Sequence, residues 1–256
     1  MRQDERAPFE HALERARRSA YPPGEFVGQE GFLSASQILS LAGRAGIAPG
    51  VTVLDLCCGV AGPGRLITRE TGCAYLGVDY SRDALEIARA RSGDLGCRFE
   101  VWRVPPLPPG RFDVVLLLET MLAFPDKEDL LREVSRTLPV GGRFAFTLEE
   151  GKPLTEGERR DMPDADTVWP IPLPDILSLL EGVGLRVRWQ VEWSRSHRVT
   201  AGSLAAAFAA EAPGMAAQVG RRAVEELLAA HRLWDDWLRR GRVRKFALVA
   251  EKTGRA

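Results

Sequence analysis

The sequence predicts an α/β fold, a mostly parallel sheet with helices on both of its faces. Three observations carry that expectation. Short, nearly continuous apolar runs recur at residues 51–56, 74–79 and 111–118, the pattern of strands buried on both faces. Stretches of helical periodicity separate them, as strands running the same way require. The first run passes at once into a turn of small residues, 57–64, and then into a helical pattern.

Taken in order, residues 5–20 read as a surface helix, with Leu13 and Ala16 on one side and arginines on the other. Tyr21-Pro22-Pro23-Gly24 ends it, and a second amphipathic helix runs through Ile38, Leu39, Leu41 and Ala45. The first strand finishes at Asp55 and Leu56, before Cys57-Cys58-Gly59-Val60-Ala61-Gly62-Pro63-Gly64. A strand, a glycine-rich turn and a helix N-terminus together bring backbone N–H groups up against a ligand. About twenty residues on, the second strand ends at Asp79, placed to bind ribose hydroxyls. A dinucleotide site wants G-x-G-x-x-G. Here the glycines stand at 59, 62 and 64, and Pro63 removes an N–H donor.

Asp55, Leu56, Cys58, Gly59 and Gly62 fall on positions of the first motif of the class I S-adenosylmethionine-dependent methyltransferases, roughly D-L-G-C-G-T-G-G, and the chain resembles that family over residues 51–147 and again near the C-terminus. Cys57 and Ala61 replace two of the family's glycines with other small residues. The resemblance implies a Rossmann-like, seven-stranded, mostly parallel sheet whose last strand is antiparallel. It also implies S-adenosylmethionine as cofactor and S-adenosylhomocysteine as product.

After the second strand, Ser81 or Asp83 caps a helix over 83–91, and residues 97–104 read as a third strand. Trp102 and Arg103 stand where family members commonly carry the acid that receives the adenine amino group; Trp102 is either an adenine platform or a core tryptophan. The fourth strand, 111–120, brings Glu119, Thr120 and Met121 to its carboxyl end, where ligands bind in open α/β sheets. Glu119 is either a base or cation-binding group, or a structural acid. The family's [DN]-P-P-[YF] signature for nucleobase amines does not occur there. A helix over 126–138 stops at Pro139-Val140-Gly141-Gly142, and a fifth strand follows at 143–147, with Glu149 and Glu150 at its carboxyl end, where either one faces the substrate or both are solvated. Residues 151–174, with Trp169, read as a long active-site loop. A helix over 175–184 leads to a sixth strand at 185–193. Helices over 203–210 and 221–238 then interrupt the final hairpin before the last strand, 243–250, antiparallel to the sixth. Such an insertion resembles the sarcosine/dimethylglycine and ubiquinone/menaquinone-biosynthesis groups, in which it caps the substrate pocket.

The expected organisation is a helical lid at 1–46, the cofactor-binding α/β core at 47–194, a substrate cap at 195–241 and the last strand of the core at 242–256. For the cofactor, the resemblance implies Asp55 near the methionine amine or adenosine rim, Gly59 and Gly62 as close-approach backbone and Asp79 at the ribose. Cys57, Tyr80, Trp102, Arg103 and Glu119 complete that set. Tyr21, Gln29, Phe32, Trp169 and Trp234 are candidates to touch substrate, and Glu119, His197 and His231 to act on it. Phe208, His231, Trp234 and Trp237 form either an aromatic cage for an ammonium group or ordinary helix packing.

Composition narrows the classes further. Thirty-five basic and thirty-five acidic residues cancel, so no net field steers the protein toward nucleic acid or an anionic membrane. No apolar run approaches the roughly 20 residues of a membrane span, and the N-terminus lacks the apolar core of a secretion signal. The four cysteines, at 57, 58, 73 and 97, suit reduced thiols in a cytoplasmic protein. Three scattered histidines give no metal site. The expected partner is a small-molecule substrate, with the chain a monomer or homodimer. Two other readings stay open: a catalytically silent S-adenosylmethionine- or S-adenosylhomocysteine-binding module that works through a partner, and a nicotinamide-dependent oxidoreductase.

Overall fold

Strands with both faces apolar need cover on both sides, and the computed structural model, which describes residues 3–163 and 165–254, supplies it. The first and last expected segments thus lack residues 1, 2, 255 and 256, which lie outside the described residues. Seven strands, β1 (Thr52–Leu56), β2 (Ala74–Asp79), β3 (Arg98–Val101), β4 (Val114–Leu117), β5 (Arg143–Glu150), β6 (Leu185–Glu192) and β7 (Arg244–Lys252), form one sheet in the order β3-β2-β1-β4-β5-β7-β6. Strands β1 to β5 pair in parallel, while β7 lies antiparallel between β5 and β6.

The alternation of each strand divides the core. Leu54, Leu56, Val115 and Leu117 pack on one face with α5 (Lys127–Thr137) and α7 (Leu173–Gly182). Val53, Val114 and Leu116 pack on the other with α2 (Ala35–Arg44), α3 (Gly62–Thr71) and α4 (Arg82–Ser92). Polar side chains start these helices where the sequence places them: Ser81 caps α4 through the Ala84 N–H, and Asp126 caps α5 through the Asp129 N–H. A third cluster stands apart from the sheet. Ala12, Ala16 and Ala20 of α1 (Gln3–Ala20) pack with Leu204, Phe208 and Met215 of α8 (Ser194–Val219) and Val224 of α9 (Arg221–Arg240). The small face of α1 admits the large side chains of α8, so the N-terminal and C-terminal helical segments form one layer.

Several bounds differ from the sequence expectation for identifiable reasons. Strand β3 stops at Val101, leaving Trp102 and Arg103 outside it. Strand β4 stops at Leu117, because Glu119 takes a left-handed backbone with φ 62°. Strand β5 runs on to Glu150, where β7 pairs with its whole length. The expected helix over 203–210 is the middle of a 26-residue α8 that continues through Pro213. Residues 151–174 are not one irregular loop: α6 (Glu156–Asp161) opens there on a Thr155/Glu158 capping box. Among the described residues no helix is long and apolar enough to cross a membrane.

Candidate active site

The carboxyl ends of β1 and β4 converge on one cavity of about 260 Å³, lined by Asp55, Cys57, Gly59, Gly62 and Glu119 together with the loop Gly28–Gly31. The turn after β1 is built from left-handed residues: Cys57, Gly59 and Ala61 have φ of 55°, 52° and 55°. Thus Cys57 and Ala61, where the resemblance expects glycine, adopt the conformation glycine takes freely. Gly62 is needed for a different reason. A Cβ there would lie 2.5 Å from the Gly28 carbonyl carbon, so the loop of residues 24–31 closes directly over the start of α3.

The acids of this cavity are tied down. The Gly59 N–H donates to Asp79 Oδ2 at 2.9 Å and the Ser81 N–H to Oδ1 at 2.8 Å. The Tyr75 hydroxyl donates to Asp55 Oδ2 at 2.6 Å. Burial pushes the Asp55 carboxyl up to about 7, opposed by the Tyr75 hydrogen bond and assisted by the charge of Asp79. Burial likewise raises the Cys57 thiol to about 12, which leaves it protonated and weakly reactive.

A second cavity, of about 140 Å³, adjoins the first and shares Glu119 and Gly31 with it. Its polar wall is a buried charge cluster. Glu119 Oε2 accepts from the Phe32 N–H, and Oε1 faces Lys245 Nζ and, at 3.3 Å, His197 Nε2. Lys245 Nζ also donates to Glu149 Oε1. Burial opposes charge at both Glu119 and Lys245, but their mutual attraction outweighs it. The Glu119 carboxyl, helped by His197, is held well below the usual carboxylate range, and Lys245, helped by Glu149, is held above the usual lysine value. The remaining wall is apolar: Phe32, Leu122, Trp234, Leu238 and Val243.

The structure brings together at these two cavities Asp55, Cys57, Gly59, Gly62, Gln29, Phe32, Glu119, His197 and Trp234 of the expected site residues. Asp79 reaches the first through Gly59. Tyr21 borders an outer hollow between α1 and α8 and donates its hydroxyl to the Gly31 carbonyl. The rest lie elsewhere. Tyr80 is 65% exposed beneath the Arg103 guanidinium. The Trp102 indole N–H donates to the Pro106 carbonyl at 2.7 Å. Trp169 bonds to Asp166 and packs under Arg159. His231 has Nδ1 2.8 Å from the Leu227 carbonyl of its own helix and its ring against Phe208, so it serves α8–α9 packing. Glu149 corrects an expectation: it is buried rather than solvated, whereas Glu150 pairs with Arg244. Lys245 stands outside the expected site residues. Its signal was a lysine inside an apolar run that is buried on both faces.

Residues 54–146 match the family described as "Methyltransferase domain". This stretch contains the glycine turn, Asp79 and Glu119. Over those residues the chain carries a methyltransferase domain. It is 35% identical over 109 residues to the methyltransferase GfsG of Streptomyces halstedii, covering 40% of this chain and 39% of that protein. It is 37% identical over 129 residues to a sterol 24-C-methyltransferase of Eremothecium gossypii, covering 47% of this chain and 35% of that one. The chain thus aligns with less than half the length of these curated relatives. Among solved structures, the cyclopropane synthase MmaA2 of Mycobacterium tuberculosis superposes with a TM-score of 0.80 at 15% identity, over 96% of this chain and 94% of that one. That likeness establishes the fold of the methyltransferase domain together with its flanking helices.

Lys245→Met leaves Glu119 and Glu149 together without their cation, which is expected to cost about 3–5 kcal/mol in urea unfolding. Adding Glu149→Gln should recover part of that loss; an additive double variant would contradict the pairing. For Asp55, the folded chain holds a proton between pH 3.8 and about 7 that the unfolded chain has already released. Stability therefore falls as pH rises across that interval and levels off above it. Urea midpoints taken across the interval should fall more for the wild type than for Asp55→Asn, and equal falls would show that Asp55 ionises normally.

Proposed function

We propose that this domain binds S-adenosylmethionine in the cavity above the glycine turn and transfers its methyl group to a small-molecule nitrogen, oxygen or carbon acceptor in the adjoining cavity. The observation that supports this most is the shared wall: Glu119 and Gly31 belong to both cavities, so a ligand in one lies beside a ligand in the other. The donor set suits the cofactor. Asp55 and Asp79 offer acceptors for an ammonium group and a ribose diol, and Gly59 and Gly62 let the backbone come close. Bound there, the cofactor supplies an electrophilic methyl group on a positively charged sulfur.

The residues around the second cavity then have three tasks. The Phe32–Glu119 hydrogen bond closes the loop of residues 24–34 over the junction and limits water there. The apolar walls hold the acceptor's hydrocarbon part, fixing its approach. Glu119 faces His197 Nε2 at 3.3 Å and holds that ring in place at the cavity wall. The sterol C-methylating relative from Eremothecium gossypii and a sarcosine/dimethylglycine N-methyltransferase of Halorhodospira halochloris, 32% identical over 107 residues, are compatible with a small-molecule acceptor.

Calorimetric titration tests the reading. S-adenosylmethionine and S-adenosylhomocysteine should bind in the micromolar range and NAD should not. Asp79→Ala should weaken the first two by about 1.5–3 kcal/mol, the value of hydrogen bonds to a charged group. Cofactor binding with no turnover over a broad acceptor panel would favour a silent binding module, and unchanged affinity in Asp79→Ala would remove Asp79 from the ribose role.

A further inference from the structure

A hollow of about 610 Å³ lies on the outer side of the loop of residues 24–31, between α1, α3 and α4. Its charged lining is one-sided: Arg18, Arg65, Arg69 and Arg91 share it with a single carboxylate, Glu14. Glu14 is divided between Arg18 at 3.1 Å and Arg91 at 2.8 Å, and Arg69 pairs with Glu70, outside the lining, at 2.9 Å. Four cations against two acids leave two positive charges in excess, in a chain whose formal net charge is zero.

Two of these guanidinium groups converge on one point. A Cβ at Gly28 would lie 3.2 Å from Arg65 Nη2 and 3.8 Å from Arg91 Nη1, so the bare glycine backbone leaves room for both. Arg65 has no carboxylate partner among the described residues. It donates to three carbonyls instead, from Nε to Ala61, from Nη1 to Arg91 and from Nη2 to Val27. A guanidinium carries five N–H donors, so one on each terminal nitrogen is left over. Arg91 reaches Glu14 through Nη2, which leaves Nη1, the nitrogen nearer Gly28, open as well. Burial pushes the Arg65 guanidinium below its usual value, and the charge of Arg91 pushes it the same way. Like charges brought together with donors to spare call for an anion between them. A carboxylate brings one charge and leaves one in excess. A phosphate monoester brings close to two, with oxygens spread tetrahedrally for guanidinium edges that approach from different helices.

We propose that this hollow is a binding site for a phosphate monoester dianion, held between Arg65 Nη2 and Arg91 Nη1 beside Gly28. The ligand is a small soluble molecule with a terminal phosphate. A phosphodiester, as in a nucleic-acid backbone, brings one charge only and is the poorer match. Gly28 and Gly62 line this hollow and also the first cavity, so the two sites lie back to back across the contact of two glycines. The phosphate site is therefore distinct from the cavities assigned to cofactor and acceptor, and it stands whether or not the chain transfers a methyl group.

The test is calorimetric titration with methyl phosphate and dimethyl phosphate at constant ionic strength. Methyl phosphate should bind at one saturable site, about tenfold or more tightly than dimethyl phosphate. Arg65→Gln and Arg91→Gln should each weaken it by a similar factor, while Arg186→Gln, which removes an exposed charge of β6, should change it little. Urea midpoints report folding of each variant; Arg91, whose side chain is 37% exposed, is replaced with little risk to the fold, and it decides alone if Arg65→Gln does not fold. No saturable binding, equal affinity for monoester and diester, or a loss in Arg91→Gln no larger than in Arg186→Gln overturns the proposal. Displacement of methyl phosphate by S-adenosylhomocysteine would place it in the cofactor cavity and overturn the proposal too. Saturable phosphate binding without any binding of S-adenosylhomocysteine keeps this site and defeats only the cofactor reading.

Discussion

The ammonium group of Lys245 sits 2% exposed in the middle of the protein, and everything around it is arranged so that it remains charged. A buried cation left alone would cost several kcal/mol, so its two carboxylates cannot be moved independently. Glu119 comes from the end of β4, Glu149 from β5 and Lys245 from β7, which ties three neighbouring strands at one level. The same Glu119 accepts from the Phe32 N–H and faces His197 at the start of α8. The cover segment and the C-terminal helices are therefore fastened to the sheet through one charge cluster. That cluster is also the polar wall of the second cavity, which makes the fold's central constraint and the candidate chemistry a single arrangement.

The turn after β1 shows a related compromise. Left-handed backbone costs an L residue about 1–2 kcal/mol relative to glycine's freedom, yet Cys57 and Ala61 both adopt it. Neighbouring contacts impose this conformation. Ala61 is fully buried, its N–H donates to the Cys58 carbonyl at 2.8 Å, and the Cys58 N–H is held by the Val78 carbonyl of β2. Strain kept in place by its surroundings is common at ligand sites. Here it keeps the Gly59 N–H on Asp79 and the start of α3 facing the cavity.

Elements whose pattern is local were legible in the sequence. Strands β1, β2 and β4 are short apolar runs because both their faces are covered, and the glycine turn and Asp79 are close in sequence to what they serve. The antiparallel last strand followed from the family resemblance and was found in the sheet order. The second cavity was legible only in part. Glu119 and His197 stand 78 residues apart and Lys245 and Glu149 stand 96 apart; no periodicity relates such distances. The local pattern ends β5 before Glu149 and leaves that acid facing either substrate or solvent; only pairing with β7 carries the strand past that point. His231 and Trp169 read as site residues by type alone. The structure uses the first to pack α9 against α8 and the second under Arg159.

The most direct test of the account is a crystal structure of the protein with S-adenosylhomocysteine bound. The account predicts the ligand over the Cys57–Gly62 turn, its ribose hydroxyls at Asp79 and its sulfur opening onto the cavity bounded by Glu119, Glu149 and His197. A ligand bound elsewhere, or a sulfur turned away from that cavity, would contradict it, because the charge cluster would then face no reacting atom.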